Sequence, residues 1–248
     1  MKRKYLLLLA ALSLLLVVFS GNEQKQIIAS AESAAQIQHF RDDETGLNYH
    51  LYIPTGDAEH MPLIVYLHGG SGKGSDFNQM IKLDGFPQYL QQGVISPNAY
   101  VLMPQLSADQ RGWEQVGANL ITLIQKIASE YDVDADNISL TGHSMGGTGA
   151  WNLAISNPDV FARIAPLSGA VRGRGIAKLK NVSVWAFAGE KDNIVPPESS
   201  EKAVALLQKL GGDAAFTLFS DAGHTDVPRE AYLDESIGLL PWLVGGNT

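Results

Sequence analysis

A serine hydroxyl becomes a useful nucleophile only beside a base, and one serine of this chain sits in a context suited to that work. Gly142-His143-Ser144-Met145-Gly146 follows the apolar stretch 137–140 and precedes a helical pattern running from Met145 toward Ala154. Such a strand-to-helix turn must be sharp, and flanking glycines relieve the crowding so that the serine oxygen projects above the sheet. Alone, the five residues would suit an ordinary structural turn. With strand, turn and helix in order, Ser144 is the expected nucleophile.

Histidine is the first choice of base because its pKa lies near neutral pH. Of six histidines, His39 and His50 fall on an edge hairpin, His60 precedes a strand, His68 follows one and His143 adjoins the serine. His224, in Ser220-Asp221-Ala222-Gly223-His224, follows the last apolar strand on a loop expected at the carboxyl edge of the sheet, where the serine turn also opens. It is the expected base. The acid that orients it should follow the preceding strand, and Asp192 is the choice, with Glu190 a near competitor. Asp221 or Asp226 would approach His224 from its own loop, and an aspartate at 192 would also serve as a turn cap. The chain order Ser, Asp, His is the one this strand-turn-helix arrangement demands.

Attack on an acyl carbon creates an oxyanion that needs preorganised donors. The backbone N–H of Met145, at the helix N-terminus, is one. The second is expected from Leu67-His68-Gly69-Gly70-Ser71-Gly72, at Gly70, with Gly69 and Ser71 as neighbours, because glycines let a backbone approach a substrate closely.

The elements that must position these groups are legible as short apolar runs at 62–67, 99–103, 137–140, 163–167, 182–188 and 215–219, which read as buried parallel strands. Residues 36–41 and 47–53 alternate apolar and polar around Asp42-Asp43-Glu44-Thr45-Gly46 and predict an antiparallel edge hairpin. Residues 119–127 carry Leu120, Ile121, Leu123, Ile124 and Ile127 at helical spacing, and 201–210 and 232–243 behave similarly. Strands alternating with helices imply an α/β fold with a mostly parallel central sheet covered on both faces. Only about a dozen residues separate the strands ending near Ser168 and starting near Val182, too few for a helical lid. The site should be open.

With 248 residues, 45% of them hydrophobic and 18% charged, the chain can bury one substantial core. Met1-Lys2-Arg3-Lys4 and the apolar run 6–19 read as a signal peptide. That run would span about 21 Å as a helix, short of the roughly 30 Å hydrocarbon core. Ala29-Ser30-Ala31 is a cleavage candidate, so residues 1–31 are expected to be the signal, with cleavage between 20 and 35, and residues 32–248 the catalytic domain. Removing 1–31 leaves 14 basic and 25 acidic residues, a net charge of −11 against −8 for the whole chain. No basic stripe marks a nucleic-acid partner, and no stable membrane partner is expected after cleavage. The absence of cysteine excludes disulfides, thiolate metal sites and a cysteine nucleophile. A protein secreted or associated with the cell surface, of bacterial type, is the expectation.

At these residues the chain resembles the α/β-hydrolase superfamily, and within it small secreted esterases near feruloyl and acetyl-xylan esterases and polyhydroxybutyrate depolymerases, a group also called predicted peptidases. The resemblance covers roughly residues 45–244. It rests on Tyr66-Leu67-His68-Gly69-Gly70, Met103-Pro104-Gln105, Leu140-Thr141-Gly142-His143-Ser144-Met145-Gly146-Gly147, Gly189-Glu190-Lys191-Asp192 and Ala222-Gly223-His224. It implies Ser144, Asp192 and His224 as the catalytic triad, and Gly70 and Met145 as the oxyanion donors. Trp113, in Arg111-Gly112-Trp113, falls where such enzymes often carry a pocket aromatic, with ordinary packing the alternative, and His143 is the other candidate substrate contact. One departure is that a tryptophan commonly follows the histidine in these relatives, whereas Thr225 follows His224 here.

The expected activity is cleavage of small-molecule or polymer-linked carboxylic esters through an acyl-enzyme, with no cofactor. A serine peptidase of the prolyl-oligopeptidase type is the alternative enzyme, and a non-catalytic binding protein the alternative outside enzymology. Metal hydrolysis is unpromising because no H-E-x-x-H spacing occurs. Arg172 and Arg174 would attract a carboxylate-bearing substrate or simply sit in a solvated loop.

Overall fold

The computed structural model describes residues 36–55, 59–171 and 174–246. Eight strands form one sheet: β1 (Gln36–Arg41), β2 (Asn48–Ile53), β3 (Met61–Leu67), β4 (Tyr100–Gln105), β5 (Val133–His143), β6 (Arg163–Leu167), β7 (Ser183–Gly189) and β8 (Ala214–Phe219), in the order β1-β2-β4-β3-β5-β6-β7-β8. β2 pairs antiparallel with β1 and β4, and every other neighbouring pair is parallel. The hairpin turns at Asp42, whose carboxylate accepts the Thr45 N–H and hydroxyl and pairs with Lys126.

Among the described residues seven α-helices accompany the sheet: α1 (Phe77–Leu83), α2 (Gly85–Gln91), α3 (Gly117–Glu130), α4 (Met145–Ser156), α5 (Glu198–Lys209), α6 (Val227–Leu233) and α7 (Leu239–Leu243). Two apolar clusters fill the two sides of the sheet, and the period-two alternation of β3 divides it between them. Leu63, Val65 and Leu67 pack with Leu120, Leu123 and Ile124 of α3, Trp151 of α4 and Leu207 of α5. Ile64 and Tyr66 pack instead with Met80, Phe86, Val227, Tyr232 and Leu243 from α1, α2, α6 and α7. Burial on both sides explains why β3, β4 and β6 read as continuous apolar runs rather than alternating ones.

The expected α/β-hydrolase architecture is therefore present, with two local differences. The single helix expected over 232–243 is broken into α6 and α7. Asp234 accepts the N–H and hydroxyl of Ser236, and Gly238 turns the chain at φ 74°, so local hydrogen bonding overrides the helical spacing of the apolar residues. Residues 77–91, which carry no strong periodicity, form α1 and α2, separated by the extended backbone of Asp84. Between β6 and β7 a short 3-10 turn at Ile176–Asn181 buries Leu179 against the body, and among the described residues no large lid is present. The predicted signal segment and Arg172 lie outside the described residues, and Arg174 is exposed. Among the described residues no helix is long and apolar enough to cross a membrane.

Candidate active site

The serine turn is shaped by main-chain contact. β5 runs to His143, Ser144 adopts φ 59° and ψ −116°, and α4 begins at Met145. A non-glycine residue held there carries about 1–3 kcal/mol of strain, so the surroundings must enforce it. They do so through close backbone packing: a Cβ on Gly146 would lie 1.8 Å from the Leu67 carbonyl oxygen, and one on Gly142 2.4 Å from the same atom. On Gly147 it would meet the Leu167 carbonyl oxygen at 2.4 Å. The Ser144 N–H donates to the Leu167 carbonyl at 2.9 Å, fastening the turn to β6.

The histidine and aspartate loops are fastened to each other in the same manner. The N–H groups of Glu190 and Lys191 donate to the carbonyls of Phe219 and Ala222, at 2.9 and 3.0 Å. A Cβ on Gly189 would meet the Ala222 carbonyl oxygen at 2.2 Å, so the end of β7 lies directly against the loop that carries His224. The result is a continuous hydrogen-bonded relay: Ser144 Oγ lies 2.8 Å from His224 Nε2, and His224 Nδ1 lies 2.7 Å from Asp192 Oδ2. A neutral imidazole has one donor and one acceptor nitrogen, so Nδ1–H on the carboxylate leaves Nε2 to accept the serine proton. Asp192 Oδ1 accepts the N–H groups of Ile194 and Val195, each at 2.9 Å. Burial pushes the Asp192 carboxyl pKa up, but Val195, the His224 ring and Ile194 outweigh it and hold the group below the usual carboxylate value.

The competitors for the acid are placed elsewhere. Glu190 is exposed, Asp221 pairs with Lys191 at 2.8 Å, and Asp226 accepts the Gly223 N–H at 2.8 Å.

The glycine loop after β3 lies beside the serine, with a Cβ on Gly69 falling 3.7 Å from Ser144 Cβ. The Gly69 N–H donates to Asp84 Oδ2 at 2.7 Å and is thus engaged within the protein, whereas its neighbour Gly70 is exposed. His68 is fully buried; its Nε2 accepts the Leu106 N–H at 3.0 Å, so its Nδ1–H donates to the Gly69 carbonyl at 2.6 Å. Burial lowers its pKa, in keeping with that neutral tautomer.

Two candidate substrate contacts are used differently. Trp113 is 1% exposed: its Nε1–H donates to the His68 carbonyl at 3.2 Å, its ring fills the space over Gly149, and it borders a surface hollow with Glu114 and Asn152. His143 donates its Nε2–H to the His224 carbonyl at 2.8 Å, with the two rings tilted at 4.7 Å. Burial first, and the His224 imidazole second, lower its pKa to about 4, so it is neutral at pH 7. The sequence reading missed Asp84 and Tyr66. Asp84 is almost fully buried and accepts the Tyr66 hydroxyl as well as Gly69 N–H. Its only signal was an aspartate in an otherwise apolar neighbourhood.

An eight-stranded, mostly parallel sheet with Ser144, Asp192 and His224 meeting where its strands end defines an α/β-hydrolase. The chain belongs to the family described as "Putative esterase", whose model matches residues 44–216. Its curated relatives include the probable acetylxylan esterase A of Aspergillus flavus, 23% identical over 183 residues, a match covering 70% of this chain and 59% of the relative. The chain thus spans about three fifths of that relative's length. Among solved structures, a thermostable esterase superposes with a TM-score of 0.70 at 26% identity, covering 85% of this chain and 62% of the other. The feruloyl esterase module from Clostridium thermocellum, complexed with sinapinate, gives a TM-score of 0.66 at 16% identity, covering 87% and 91%, a likeness of fold.

Proposed function

We propose that the chain is a secreted serine hydrolase that cleaves carboxylic esters through an acyl-enzyme. The reading is carried by the relay from Ser144 through His224 to Asp192, at 2.8 and 2.7 Å. As the serine oxygen attacks the ester carbon, His224 Nε2 takes its proton, and the imidazolium that forms is stabilised by the Asp192 carboxylate. The carbonyl oxygen becomes an oxyanion held by the N–H groups of Gly70 and Met145. His224 then protonates the leaving alkoxide, freeing the alcohol. Water, deprotonated by the same imidazole, attacks the acyl-serine, and collapse of the second oxyanion releases the acid.

Nothing in this sequence of steps calls for a cofactor. The short connection between β6 and β7 favours esters that can be reached from solvent, including acyl groups on a polymer, and the name of the Aspergillus relative directs the first natural-substrate test to acetylated xylan. Export is supported by the basic start and the apolar run 6–19.

Residues 32–248 should hydrolyse p-nitrophenyl acetate and butyrate, and Ser144→Ala, folded by circular dichroism, should lose at least about 10⁴-fold in kcat together with labelling by a fluorophosphonate. A folded wild type that is neither labelled nor active would sink the reading; labelling with turnover of peptides but not esters would redirect it to a peptidase. Asp192→Asn should cost on the order of 10³- to 10⁴-fold, because Asn cannot favour the required tautomer, while Glu190→Gln should leave kcat within about twofold. The reverse ranking would transfer the orienting role to Glu190.

A further inference from the structure

Asp84 is a carboxylate in an unlikely place for one. It lies in the extended link between α1 and α2, on the side of the sheet packed with Phe86 and Tyr232, and is 4% exposed. Burying a carboxylate is costly unless its oxygens are satisfied. Here each oxygen takes a different donor: Oδ1 accepts the Tyr66 hydroxyl, and Oδ2 accepts the Gly69 N–H at 2.7 Å. Tyr66 is fully buried, stacked on Phe86 with ring centroids 4.9 Å apart, so the carboxylate is anchored on one side to a rigid ring. On its other side it holds the Gly69 N–H, one residue before that of Gly70.

We propose that Asp84 is the positioning residue of the oxyanion loop, gripping the Gly69 N–H so that the next N–H, that of Gly70, is aimed at the developing oxyanion. The inference rests on the serine-hydrolase reading above. Gly70 is exposed, and a Cβ on it would meet nothing within 4 Å, so its direction is not set by packing around Gly70 itself. The Gly69 unit is held at both its polar atoms instead, its N–H by Asp84 and its carbonyl by His68 Nδ1–H at 2.6 Å. A donor fixed before the reaction stabilises the oxyanion without reorganisation, whereas a donor free to swing loses much of that effect. Asp84 touches no reacting atom; it acts through the backbone.

The test compares wild type with Asp84→Ala, Asp84→Asn and Tyr66→Phe on p-nitrophenyl butyrate, with Ser144→Ala as control. An alkyl trifluoromethyl ketone, which adds the serine to form a tetrahedral oxyanion, reports on the hole. Asp84→Ala should lose on the order of 10- to 100-fold in kcat with KM within about twofold, and the ketone should bind more weakly by a similar factor. Asp84→Asn should recover most of the loss, since its amide oxygen still accepts from Gly69 while its NH₂ turns to Tyr66. A folded Asp84→Ala with unchanged kcat and ketone affinity overturns the proposal, as does Asn performing no better than Ala. Where Asp84→Ala does not fold, Tyr66→Phe decides: loss of roughly 3- to 10-fold in kcat with matching loss of ketone affinity supports the role, and no change in either overturns it. Full turnover by Ser144→Ala would instead remove the serine-hydrolase reading beneath it, a separate failure.

Discussion

The serine turn and the oxyanion loop lie side by side and are both rich in glycine, yet they are held in place by different physics. At the serine turn the glycines are pressed against main chain: Gly142 and Gly146 against the Leu67 carbonyl, Gly147 against that of Leu167. No side chain can give way there, so the turn is fixed by the main chain of β3 and β6. Around Gly70 there is open space, and side chains hold the loop: Asp84, from the α1–α2 link, on the Gly69 N–H, the loop's own His68 ring on the Gly69 carbonyl and the Trp113 indole on the His68 carbonyl. A strained nucleophile is thus enforced by rigid main chain, whereas the loop beside it depends on side chains.

The largest effect expected from this contrast comes from one substitution made twice. Gly146→Ala places a methyl 1.8 Å from a carbonyl oxygen that cannot move without disturbing β3, and it should cost at least about 3 kcal/mol or prevent folding. Gly70→Ala meets nothing within 4 Å and should change stability by no more than about 0.5 kcal/mol. Urea unfolding of the two variants measures the difference, and equal costs would abolish the distinction between the regions. Trp113→Phe sharpens it from the side-chain direction. Loss of the Nε1–H leaves the buried His68 carbonyl without that donor, at a cost of about 2 kcal/mol, and the loosened loop should lower kcat severalfold. If unfolding shows the cost but kcat is untouched, Trp113 supports the core and not the loop.

The same contrast explains what could be read in the sequence. Ser144 and its glycines are contiguous, so the motif carries its own geometry, and the strands around it announce themselves because burial on both faces demands unbroken apolar runs. His224 and Asp192 were legible through topology, since parallel strands deliver successive loops to one edge. Asp84 was not: its partner Gly69 is 15 residues away and no periodicity links them. Trp113 stayed open between pocket and packing for a related reason. An aromatic side chain near a site is read as a pocket wall, but its indole N–H found a buried carbonyl and its ring a glycine surface. His143 was equally ambiguous, because a histidine beside the nucleophile can face substrate or brace the base, and only the position of the His224 carbonyl decides between them.

The burial of His143 gives the smallest effect, visible in the pH dependence of stability. His143 has a folded-state pKa lowered to about 4, below the roughly 6.5 expected once unfolded. Between those values the unfolded chain binds a proton that the folded protein refuses, so this contribution is complete above about pH 6.5 and is lost as pH falls toward 4. His50, lowered to about 3 by burial and then by His39, acts with the same sign, so wild type should weaken steadily over this range. Replacing His143 with glutamine keeps an N–H donor for the His224 carbonyl and removes the titration. From pH 7 to pH 5, His143→Gln should therefore lose about 1 kcal/mol less than wild type, below the ideal one-proton value because the ring retains some contact with water. Urea unfolding at the two pH values measures it. Parallel losses would mean that His143 titrates alike in both states, and that its burial is too slight to exclude the proton.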